Sequence, residues 1–80
     1  MDAQLVTDLF RLSHGKVGYI DVEAFYALHP TCEEVYRDLY TLGDANLVTI
    51  SWDDDNRAKI IYIHPAGISF AREYGILDEA

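Results

Sequence analysis

TCEEVYRDLYTLGDANLVTISWDDDNRAKIIYIHP, from Thr31 to Pro65, is the stretch whose reading decides the fold. Its apolar periodicity switches once, from helical to alternating, beside a glycine. Cys32, Val35, Tyr36, Leu39 and Leu42 recur at helical spacing and share one face, while Glu33, Glu34, Arg37, Asp38 and Thr41 point away. Thr31 and Glu34 stand at the capping-box spacing, in which hydroxyl and carboxylate each satisfy a free amide. Gly43 is placed to end this helix in a left-handed cap. After Asp44-Ala45-Asn46, the run from Leu47 to Trp52 alternates and predicts a strand. Asp53-Asp54-Asp55-Asn56 is a polar turn, and Arg57 to His64, rich in β-branched and aromatic residues, returns as the partner strand. The expectation is a helix over 31–43 and a hairpin pairing 47–52 with 57–63.

Upstream, Asp2 to Ser13 places Leu5, Val6, Leu9, Phe10 and Leu12 at helical spacing, with Asp2 available as N-cap. Two glycines in His14-Gly15-Lys16-Val17-Gly18 break that helix, and Gly18-Tyr19-Ile20 reads as a short extended piece. Asp21 caps a second helix, Val22 to Leu28, which Pro30 ends. Downstream, Pro65 suits the first turn of a closing helix in which Ile68, Ala71 and Tyr74 repeat until Gly75. Ile76 to Ala80 reads as a tail that frays or docks loosely.

Eighty residues suffice for one domain and are too few for two. Half are apolar and 12% aromatic, ample for a packed core and unlike a disordered segment. A lone cysteine, Cys32, forms no internal disulfide, which suits a reducing compartment, and cytoplasm is the expected location. No apolar run approaches the roughly 20 residues of a membrane span, so no membrane partner is expected. Fourteen acidic residues against six basic ones give a net charge of −8, a field that repels phosphate groups.

The order helix, short strand, helix, helix, hairpin, helix resembles the winged helix-turn-helix superfamily of small bacterial and phage domains. Leu39 to Ile50 (LYTLGDANLVTI) resembles the end of the third helix and first wing strand. Ile60 to Gly75 (IIYIHPAGISFAREYG) resembles the last strand and closing helix. The resemblance spans nearly the whole chain and implies an α+β winged helix with a three-helix core, a β-hairpin wing and a C-terminal helix. It includes DNA-binding regulators and modules that bind only proteins, so the fold alone does not choose between them.

In the DNA-binding members the exposed face of the third helix enters the major groove and the wing approaches a neighbouring groove or backbone. The corresponding positions here are Glu33, Glu34, Arg37 and Asp38, then Asp53, Asp54 and Asp55. Both elements carry the wrong sign for phosphate contact. The expected role is therefore a non-enzymatic interaction or regulatory module, with those residues and Tyr40 facing a protein partner of basic or mixed surface. Tyr40 or Trp52 would anchor that contact. A narrower version has the acidic face imitating DNA phosphates toward a nucleic-acid-handling protein. The alternative is a DNA-binding transcriptional regulator, whose cations would be Lys16, Arg37, Arg57 and Lys59, gathered by a homodimer.

Other constellations read as structure. Cys32 lies near a helix N-terminus, where a thiol can be activated, but falls in line with Val35 and Leu39 as a small core side chain. His14, His29, His64 and Cys32 lack zinc-site spacing, and the aspartate run lacks the spaced ligands of a calcium loop, so no metal or other cofactor is expected. His64 falls at the cap position before Pro65, while Tyr36 and Tyr62 read as core. No P-loop, dinucleotide fingerprint or nucleophile elbow occurs, and no catalytic residue is assigned.

Overall fold

Two aspartates open the first two helices. In the computed structural model, which describes residues 1–78, Asp2 accepts from the Gln4 and Leu5 amides, and Asp21 accepts from the Ala24 amide. These caps satisfy helix-end donors that otherwise lack partners. They start α1 (Ala3–Leu12) and α2 (Val22–Leu28); α3 (Cys32–Asp44) follows, and α4 (Pro65–Glu73) closes the order. Three strands, β1 (Gly18–Tyr19), β2 (Val48–Trp52) and β3 (Ala58–Ile63), form an antiparallel sheet in the order β1-β3-β2. The result is an α+β fold of four helices and a three-stranded sheet among the described residues, a layout compatible with a winged helix.

The core forms where helical stripes meet one face of the sheet. Leu5, Leu9 and Phe10 of α1 pack with Phe25 of α2, Leu39 and Leu42 of α3, and Ile61 and Ile63 of β3, all essentially inaccessible to solvent. Strand alternation puts Val48, Ile61 and Ile63 on the core side and Thr49, Ile60 and Tyr62 on the other. Ile68 and Ala71 seat α4 on this core, and Ile76 and Leu77 pack against it half-buried. The remainder of the expected tail, Glu79 and Ala80, lies outside the described residues.

Several local expectations are corrected. Asp38 is 93% buried rather than facing solvent with Glu34 and Arg37, because it sits between Val35 and Leu42 on the inward stripe; the Asp2 amide donates to its Oδ2 at 3.0 Å. Cys32 is exposed, since α3 reaches the core only from Val35 onward. Thr31 is the N-cap of α3 but makes no side-chain cap bond, so the capping box does not form. Gly43 stays helical. Asn46 supplies the left-handed residue (φ 61°), with Asn46 N–H bonded to Gly43 O and Leu47 N–H to Leu42 O, the two bonds of a Schellman ending. Asparagine tolerates that conformation better than most side chains. Tyr36 and Tyr62 are half-buried instead of core, Tyr74 is exposed, and His64 caps α4 by position only, its Nε2 bonding Thr49 Oγ1.

One polar clasp ties α1 to the end of α2. His29 Nε2 lies 2.7 Å from Asp8 Oδ2, with both side chains largely shielded. The His29 bond holds the Asp8 carboxyl below its ordinary value of 3.8, and the Gln4 amide adds to this against the opposing cost of burial. A depressed carboxylate contributes stability that is present above its unfolded pKa and lost as pH falls through the folded value. Asp8→Asn is therefore expected to lower Tm at neutral pH and to make the loss of Tm below about pH 4 shallower than in the parent. Parallel Tm-against-pH curves for the two proteins would remove Asp8 from the acid response.

Candidate functional site

The tip of the β2–β3 hairpin is built around one aspartate. Asp53 Oδ1 accepts from the Asp55 amide at 2.8 Å and the Arg57 amide at 3.0 Å, an arrangement short polar side chains favour in turns. Those two amides, Arg57 foremost, hold the Asp53 carboxyl below the usual carboxylate range. Asn56 takes the left-handed residue of the turn at φ 60°. Asp53 is thus committed to shaping the tip, while Asp54 and Asp55 project freely into solvent. A register shift at Ser51/Trp52 accompanies the turn.

Arg57 is also committed. Its guanidinium lies 3.8 Å from the centroid of the Tyr26 ring and 3.6 Å from Glu23 Oε1. Tyr26 in turn receives the Ala58 amide on its hydroxyl at 2.9 Å, and burial pushes that hydroxyl's pKa up despite the bond. Lys59 is exposed near the tip of β3, whereas Lys16 precedes β1, which pairs with the Tyr62–Ile63 end of the same strand. At about 3.3 Å per residue the two lysines are separated by most of the length of β3. The structure therefore does not bring Lys16, Arg57 and Lys59 together as one cationic surface.

On α3, Glu33, Glu34, Arg37 and Tyr40 are exposed and Asp38 is withdrawn. Tyr40 is 59% accessible, in keeping with its expected place beside the acidic residues of α3. Sequence reasoning missed the feature beside it. Leu39, Tyr40, Gly43 and Asp44 of α3 face Val48, Ile50 and Trp52 of β2 across an open groove of about 310 Å³. Beside it Tyr36 of α3 packs edge-on against Trp52 at 4.8 Å and tilts against Tyr40 at 6.0 Å between centroids. Only the pairing of helix with strand creates this groove, so periodicity within either element carried no signal of it. What the sequence did show was the presence of Tyr40 and Trp52 as candidate anchors.

The arrangement offers aromatic surface flanked by carboxylates: Asp44 lines the groove, and the tip aspartates follow Trp52 directly. Aromatic faces and carboxylates together attract cations. Among the described residues no helix is long and apolar enough to cross a membrane. Comparisons with family models, with curated proteins and with solved structures find no match to this chain.

Proposed function

We propose that the chain is a non-enzymatic winged-helix domain acting as a protein-interaction or regulatory module, with its α3 face and wing tip turned toward a basic or mixed protein surface. The observation that carries this reading is the groove lined by Tyr40, Trp52 and Asp44, with Tyr36 packed against both rings beside it and the tip aspartates following Trp52. Glu33, Glu34, Asp54 and Asp55 supply the exposed charge that steers a cationic partner, and the rings supply rigid anchoring area. Arg57, held by Tyr26 and Glu23, is poorly placed to serve as a phosphate contact.

Replacing Asp53, Asp54 and Asp55 together by asparagine tests the reading, because asparagine retains the oxygen acceptor that shapes the turn. Association with lysine- and arginine-rich peptides, followed by stopped-flow fluorescence of Trp52, is expected to slow, with dissociation changing less. Residual affinity for duplex DNA is expected to rise in the same variant. Unchanged peptide association, with tight duplex binding already present in the parent, would overturn the module reading.

A further inference from the structure

Edge strands expose unpaired backbone groups to any extended chain, and proteins usually blunt them with lysine, proline or charge. β2 is an edge strand in the order β1-β3-β2, yet Val48-Thr49-Ile50-Ser51-Trp52 contains no charged residue and no proline. Its hydrogen-bonding phase follows from its two ends. His64 N–H donates to Leu47 O at 3.1 Å, and Asp53 N–H donates to Arg57 O at 2.8 Å. By alternation, residues 47, 49, 51 and 53 turn their backbone groups toward β3, and Val48, Ile50 and Trp52 turn theirs outward. The Val48 carbonyl faces Gly43 of α3, which leaves the outward groups of Ile50 and Trp52 along the open groove.

The charge around this edge selects its occupant. Asp44 stands at one end, beside the negative end of the α3 dipole, and the tip aspartates stand at the other. Between them lie the rings of Tyr40 and Trp52, with Tyr36 packed against both. A second copy of this chain is a poor occupant. Two β2 edges meeting antiparallel would set Asp44 of one copy against the tip aspartates of the other, in a chain already carrying −8.

We infer that the groove between α3 and β2 takes an extended cationic segment of a partner protein as an added strand on β2, its lysine or arginine side chains resting on Tyr36, Tyr40 and Trp52. The inference rests on the interaction-module reading and deepens it. Main-chain bonds to Ile50 and Trp52 provide affinity, and the aromatic groove with its acidic ends provides selectivity.

The test probes the full chain with an array of short peptides in which lysine or arginine alternates with apolar residues. Each binding peptide is remade with its backbone N-methylated on one alternate set of amides or the other. The expected result is that one methylated set weakens binding by about tenfold or more while the other leaves it unchanged, since only one set faces β2. Amide shifts on isotope-labelled protein should centre on Ile50 and Trp52. Ile50→Pro, which removes a donor the β2–β3 ladder does not use, should weaken binding comparably, and the methylation pattern decides if that variant fails to fold. Binding that tolerates both methylations, with shifts at Glu33 and Glu34, would overturn strand addition and leave the interaction module standing. Self-association through Ile50 would replace the cationic segment by a second copy. Absence of any peptide binding, with duplex DNA bound instead, would overturn both readings.

Discussion

Gly67→Ala is expected to be among the most damaging single-methyl additions this fold can receive. Gly67 lies in the first turn of α4, helical and unstrained, so the glycine is not required by its backbone angles. It is required by space. A Cβ there would fall 2.3 Å from the Leu47 carbonyl oxygen and 3.1 Å from the Phe10 ring. That carbonyl already accepts the His64 amide at 3.1 Å, which pins β2 to the entry of α4 and leaves the oxygen little freedom to retreat. Overpacking usually costs about 1–3 kcal/mol, and a clash with fixed backbone belongs at or above the upper end. For a domain of this size that corresponds to a fall in Tm of more than about 12 °C by scanning calorimetry. A Tm within a few degrees of the parent would show that α4 does not seat against Leu47.

Leu39→Ala should cost about 2–5 kcal/mol in denaturant titration, because truncating a fully buried leucine removes its burial and leaves a cavity. Leu39 is inaccessible to solvent and sits where α3 meets α1 and the sheet. Tyr40→Ala, one position along, should stay within about 0.5 kcal/mol of the parent, since its side chain is mainly exposed. The contrast between neighbours is the informative quantity. A large loss at Tyr40 with none at Leu39 would mean that α3 presents its opposite face to the core.

Periodicity made the helices and the hairpin legible because each depends on residues close in sequence. The Asp2 and Asp21 caps and the short extended piece at Gly18 follow from local chemistry and reappear in the structure, as does the strand expected over 47–52, which runs Val48–Trp52. Local reading failed where a long-range contact decided the outcome. The charge of Asp38 predicts an outward side chain, but its position on the helix stripe and the Asp2 amide draw it inward. The stripe through Cys32 predicts an inward thiol, but the core ends before it. Arg57 reads from the sequence as one cation of the DNA-binding alternative, but its partners Tyr26 and Glu23 lie on α2, brought close only by the fold. The candidate site divides the same way: Tyr40, Glu33, Glu34 and Asp54 are legible as exposed side chains, whereas the groove that Tyr40 lines exists only once β2 lies beside α3.

The claim that the acidic face serves a protein partner and not a DNA groove is tested most directly by selecting the full chain against genomic DNA fragments and measuring the salt dependence of whatever it retains. The account predicts no reproducible motif at physiological salt and little recovery when salt is lowered, since Glu33, Glu34, Asp54 and Asp55 oppose phosphate, Arg57 is engaged by Tyr26 and Lys16 lies apart from Lys59. A single motif bound at sub-micromolar affinity, with affinity falling steeply as salt rises, would contradict it and establish the DNA-binding regulator in its place.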